Sequence, residues 1–200
     1  TALFAVTTQF QLMFESSSVN TTETTIRFFS YFTILTNSLV AIYFLWLFFW
    51  MKGANTQLLH HTPTTLIPIT AYILVVGLIY QVILRPLWNP EGLNKVVDEL
   101  LHSVVPLATG LFWIMYGRTH RITYSSVGKW LLYPLVYLIY IIIRGYLSDF
   151  YPYPFIDVNV LGYAKVSLNA MLVAVVFTGI LLLLIFINNL SLKKHNPQRK

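Results

Sequence analysis

The 200-residue chain contains no cysteine, so disulfides, thiolate catalysis and thiolate metal sites are all excluded. Charge is scarce as well. Only 10% of the residues are Asp, Glu, Lys or Arg, where a soluble domain carries roughly 25%. Acids are fewer than bases, seven against 13. No zinc-finger, RNA-recognition or phosphate-loop pattern is present, which leaves no nucleic-acid partner in view. What fills the chain instead is apolar: 56% of it is hydrophobic, with mean hydropathy +0.67. This is the composition of an all-α integral membrane protein.

Six apolar runs are separated by short connections. The first, "TALFAVTTQFQLMF", is shorter than the ~20 residues that cross a bilayer, and reads as a first transmembrane helix cut short at its N-terminus. The other five cover 27–50, 66–84, 100–117, 127–147 and 159–190. They are continuously apolar rather than alternating, which excludes barrel strands. The expected architecture is therefore one domain, 1–190, a bundle of six transmembrane helices, followed by a basic tail at 191–200. No internal repeat is visible.

The charges assign an orientation. The second and fourth loops and the tail hold Lys52, Arg118, Arg121, Lys129, Lys193, Lys194, Arg199 and Lys200 and no acid. Glu15, Glu23, Glu91, Asp98, Glu99, Asp149 and Asp157 all fall on the opposite side. By the positive-inside rule both termini are cytoplasmic.

Polar groups inside a bilayer are costly and turn toward the bundle interior. The second run carries Tyr31, Thr33, Thr36 and Asn37. The last three share one helical face, with Thr33 expected about 9 Å below the outer end of a helix that starts at residue 27. The fourth run opens on "DELLHSVVP". Asp98 and His102, four apart, lie on one face, where a carboxylate can fix the tautomer of the ring. Pro106 removes the N–H that the His102 carbonyl would accept, and a kink is expected there. The sixth run is entered through "YPYPFIDV", with Tyr153 between two prolines and Asp157 placed to cap the helix. Arg85 and Arg144 stand at outer helix ends. They read as snorkelling groups or as receptors for a fatty carboxylate. The second, fourth and sixth runs all enter from the outside and carry their polar clusters in their first two or three turns, as a single pocket near the outer leaflet would require.

The segments "RFFSYFTILTN", "DELLHSVVPL" and "YPYPFIDVNVLGYAKVSLN" resemble bacterial six-span membrane proteins that are distantly similar to the androgen-induced gene 1 family. The resemblance covers nearly the whole chain. It implies a bacterial inner-membrane protein that hydrolyses fatty-acyl esters, such as fatty acid esters of hydroxy fatty acids, without a cofactor or metal. It also implies Thr33 as nucleophile, Thr36 being the alternative register, and His102 as base. Asp98 departs from the eukaryotic branch. Asn37, Tyr31 and Tyr153 are the candidate donors to an oxyanion. The competing expectations are a small lipid or solute transporter, or a lipid-binding protein, using the same outer pocket, and a scaffold whose polar residues only lock the bundle.

Overall fold

The computed structural model describes residues 1–51, 62–117 and 120–195. Among these there is no strand. The helices are α1 (Ala2–Glu15), α2 (Thr21–Phe29), α3 (Phe32–Met51), α4 (Thr62–Ile79), α5 (Gly92–Glu99), α6 (Val105–Tyr116), α7 (Ser126–Trp130), α8 (Leu132–Ser148) and α9 (Val158–His195). Five stretches are long and apolar enough to cross a bilayer: Phe32–Phe49, Thr64–Leu87, Gly92–Tyr116, Ser126–Ser148 and Val158–Leu192. The protein is an integral membrane protein by this measure. Lys52, Arg118, Arg199 and Lys200, on which much of the expected orientation rests, lie outside the described residues, as do 196–200 of the tail.

α4 is the axis of the bundle. It is apolar all round, as a membrane span or a core helix is, and its packing on α3, α6 and α9 makes it the interior one. Leu66, Ile67, Ala71, Ile73 and Val75 are fully enclosed. α8 behaves in the opposite way. Leu135, Val136, Ile139 and Ile143 point outward, a face that acyl chains rather than water can cover. α1, 14 residues or about 21 Å long, lies against α3 and α5.

Two local departures from the expected helices matter for function. The run at 27–50 is not one helix. It breaks at Ser30 and Tyr31, because the Ser30 carbonyl accepts from the Tyr137 hydroxyl at 2.9 Å and the Ser30 hydroxyl turns back to the Ile26 carbonyl at 2.7 Å. Thr33 is therefore the second residue of α3, not a residue more than a turn inside a longer helix. The second departure is that the long helices relax into π turns at the same end of the bundle, over Tyr80–Leu84 after α4 and over Leu100–Val104 between α5 and α6. Such turns insert a residue into an α-helix, often at functional sites.

Candidate functional site

Pro106 dictates the backbone at the second π turn. In an α register its missing N–H would leave the His102 carbonyl unpaired. The chain shifts instead: the Val105 N–H goes to the Leu100 carbonyl, five residues back. The Leu101 carbonyl would then look to residue 106 for its donor, and proline has none. Asn37 supplies it from α3, with Nδ2 donating at 3.2 Å to Leu101 and at 2.9 Å to the Thr33 carbonyl. The expected break near His102 is thus a π turn clasped by an asparagine. Because both amide hydrogens of Asn37 are engaged, it has none left for an oxyanion.

The turn presents His102 to α3. Its Nδ1 faces the Asp98 backbone carbonyl at 2.9 Å and the Asp98 Oδ1 at 3.1 Å. A backbone carbonyl only accepts, so Nδ1 carries the hydrogen and Nε2 carries the lone pair. That lone pair meets Thr33 Oγ1 at 3.3 Å. Thr33 therefore donates its hydroxyl hydrogen to His102. Thr36 takes no part in this contact. Its hydroxyl pairs with Tyr133 at 3.4 Å.

Tyr80 is the member that reading the sequence missed. Its hydroxyl donates to Asp98 Oδ2, and its ring stacks on the His102 imidazole, with centroids 4.1 Å apart and planes at 13°. The imidazole is thus held by hydrogen bonds at one edge and by an aromatic face. The signal for it is a tyrosine near the outer end of an apolar run, at the depth expected of His102.

The third component comes from the loop before α9. Tyr151 lies against Gly145, whose missing side chain makes room for the ring. Asn169 Nδ2 holds the Phe155 carbonyl at 2.8 Å. Tyr153, fixed between these anchors, accepts from the Thr33 N–H at 3.2 Å and lies 3.3 Å from Thr33 Oγ1. Since the threonine hydrogen is directed to His102, Tyr153 is the donor in the second contact. Burial pushes the Tyr153 phenol up to about 12, so it keeps its proton. Tyr31 stands edge-on to Tyr153 at 5.8 Å, and burial raises its phenol too.

Of the remaining predicted residues, Asp157 and Arg144 are placed apart from this cluster, and Arg85 stands at its edge, its guanidinium 6.0 Å from the centroid of the Tyr80 ring. Asp157 caps α9, accepting from the Asn159 and Val160 N–H groups at 2.9 and 3.3 Å. Arg144 is paired to Glu23 at 2.6 Å, and Glu23 also holds Arg27 at 2.8 Å. Arg85 is bound to Glu99 and to Gln81.

Thr33 stands where two cavities meet. One, about 340 Å³, runs between α4, α8 and α9 and is lined by groups such as Val76, Leu135, Ala170 and Phe177. The other, about 450 Å³, lies between α1, α5 and the loop before α9 and includes Gln9, Ser16, Asn94, Asp98 and His102. Thr33, Leu84 and Tyr153 border both. Both volumes fall in the range of small-molecule sites.

The arrangement has the parts of a nucleophile–base pair: a hydroxyl on a fixed imidazole, which is itself oriented by a third group. Thr33 also sits in the first turn of α3, where backbone N–H groups lack helical partners and the helix dipole favours negative charge. The first α-helical bond there is from the Leu35 N–H to the Tyr31 carbonyl. Among the described residues no group of three potential metal ligands is assembled. Compared with known proteins, the chain matches no family model, no curated protein and no solved structure.

Proposed function

We propose that the protein is a membrane-embedded hydrolase of long-chain fatty-acyl esters, with Thr33 as nucleophile and His102 as base. The observation that carries this reading is the 3.3 Å contact between Thr33 Oγ1 and the lone-pair nitrogen of a tautomerically fixed His102, at the mouth of an apolar cavity. Fatty acid esters of hydroxy fatty acids, implied by the sequence resemblance, belong to this substrate class.

In the first step His102 Nε2 takes the Thr33 proton as Oγ1 attacks the ester carbonyl carbon. The carbonyl π electrons move to oxygen. Oγ1 is now an ether-type oxygen and a poor acceptor, so the Tyr153 hydroxyl, which also accepts from the Thr33 N–H, is released from it to donate to the oxyanion, near the positive end of the α3 dipole. Collapse expels the alcohol oxygen, which receives the proton from His102. Water then enters, gives its proton to His102 and attacks the acyl-threonine carbonyl. The second collapse releases the fatty acid and returns the proton to Thr33. Asp98 and Tyr80 hold the imidazole in register throughout.

We also read α1 as the first of six spans, with both termini cytoplasmic and the site near the outer leaflet of a bacterial inner membrane. Cysteines introduced at Ser125 and Ser148 then react from opposite sides of the membrane; labelling from one side removes this orientation.

The test of the chemistry is hydrolysis of p-nitrophenyl palmitate by the purified protein. Thr33→Ala and His102→Ala each abolish turnover, and the double variant loses little more, because residues acting as one unit are non-additive. Thr33→Ser retains activity. A folded Thr33→Ala protein as active as the parent removes the assignment. A parent that binds the ester without turning it over supports lipid binding or transport instead.

A further inference from the structure

Resting on that reading, we infer that the two cavities divide the ester: the acyl chain occupies the apolar cavity, and the polar cavity takes an uncharged, hydroxyl-bearing alcohol in preference to one that carries a carboxylate.

The division follows from where the proton must go. The group that accepts the Thr33 proton has to return it to the departing alcohol oxygen. His102 borders the polar cavity and not the apolar one. The alcohol therefore leaves on the polar side, which places the acyl chain on the other side of the Thr33 hydroxyl. The linings agree. The apolar cavity offers methylene and aromatic surface from α4, α8 and α9, and on α8 Leu132 and Leu135 both line it and face outward, so it borders the lipid-exposed surface of the helix. An acyl chain entering from the bilayer exchanges a hydrocarbon surrounding for a lining of similar polarity, so its transfer exposes no apolar surface to water. The polar cavity offers the amides of Gln9 and Asn94 and the hydroxyl oxygen of Ser16, whose hydrogen goes to the Leu12 carbonyl at 2.8 Å.

The preference for an uncharged alcohol follows from the same lining. Gln9, Ser16 and Asn94 are neutral partners for hydroxyls. The one acid among the described lining residues is Asp98, and no lysine or arginine is among them. A carboxylate drawn into this space would lose water and face a group of like sign, an unfavourable juxtaposition. The arginine nearest in kind to a receptor, Arg85, is turned to Glu99 and Gln81, and Arg144 is turned to Glu23. Neither borders either cavity.

Two ratios of kcat/KM, measured on the full chain in detergent micelles, test the two halves separately. The first compares p-nitrophenyl palmitate with p-nitrophenyl butyrate. Ala170→Phe narrows the apolar cavity and is expected to lower the palmitate-to-butyrate ratio by about tenfold, within the range hydrophobic pockets discriminate. The second compares the palmitate ester of hydroxystearic acid with the methyl ester of that same molecule, and with monopalmitoylglycerol. The methyl ester and the glycerol ester are each expected to exceed the free acid by about tenfold or more, and Asn94→Leu is expected to lower turnover of the glycerol ester more than that of the methyl ester. A palmitate-to-butyrate ratio unmoved by Ala170→Phe overturns the division. A free acid that is preferred, and that loses its advantage in Arg85→Gln, overturns the charge preference and assigns Arg85 as its receptor. Either result leaves the hydrolase reading intact. A parent that hydrolyses none of these esters removes both the hydrolase reading and the inference that rests on it.

Discussion

The Asn37 amide donates to the Leu101 carbonyl across 3.2 Å, and this bond ties the helix that carries Thr33 to the turn that carries His102. The carbonyl needs an outside donor because the π register takes the Val105 N–H and Pro106 has none to give. Asn37→Leu leaves the carbonyl buried and unpaired, which costs about 1–3 kcal/mol. Thermal unfolding in detergent should show that loss, and kcat should fall with it, because the Thr33–His102 distance is no longer clamped. An Asn37→Leu protein with parental kcat would show that the clasp does not set that distance.

Tyr153 makes a separable contribution. Tyr153→Phe keeps the ring between Tyr31 and Phe155 and removes only the hydroxyl that meets Thr33. Loss of one oxyanion donor lowers kcat by about 10²-fold, with KM little changed. The pH dependence has a definite sign. The buried phenol stays protonated to about 12, while a free one ionises near 10.0. Between those values the unfolded chain releases this proton and the folded chain keeps it, so the Tyr153 contribution to stability falls as pH rises through that window. Below it Tyr153 remains a donor. A spectrophotometric titration that finds a parental tyrosine, absent in Tyr153→Phe, ionising at the ordinary value would overturn this.

Glu23 latches α2 to α8 through Arg144, and Arg27 joins from within α2. The Arg27 guanidinium, with Arg144 beside it, holds the Glu23 carboxyl below the usual carboxylate range against the opposing effect of burial. A lowered value means that the folded state favours the ionised form. The stabilisation is present above the ordinary carboxylate range and disappears as pH falls through the lowered value. Glu23→Gln should lower Tm at neutral pH and flatten its acid dependence. Equal acid dependence in the two proteins would place the titrating group elsewhere.

The arrangement of the site was legible in the sequence to the extent that depth decides it. Thr33, His102 and the loop of Tyr153 were assigned one end of the bundle from topology, and they meet there. What depth cannot show is which distant group satisfies a given backbone atom. The break before α3 depends on Tyr137, far along the chain from Ser30, so a run that looks continuous is cut and Thr33 moves to a helix start. Tyr80 reads as one aromatic in an apolar run until the stacking on His102 gives it a role. Arg85 and Arg144 looked available for a substrate carboxylate because pairing with Glu99 and Glu23 is a property of the assembled bundle.

Gly77 gives the sharpest test of how closely the site is positioned. A Cβ added there would lie 3.1 Å from the His102 carbonyl oxygen and 3.1 Å from Pro106 Cβ. α4 thus presses its one bare position against the backbone of the π turn that presents His102. Gly77→Ala has two opposing effects on stability. Alanine favours the helix by about 1 kcal/mol, and the tight contact forces the π turn back by a few tenths of an ångström. The two nearly cancel in Tm. They do not cancel in the chemistry, because the displacement moves His102 away from Thr33, and a misplacement of even 1 Å can lower a rate by about 10²-fold. Gly77→Ala should therefore unfold near the parental temperature with kcat reduced by about tenfold. Gly179→Ala, where an added Cβ meets nothing within 4 Å, should leave kcat unchanged. Equal kcat for parent and Gly77→Ala would mean that the turn yields without moving the imidazole, and that the packing of α4 does not set the geometry of the pair.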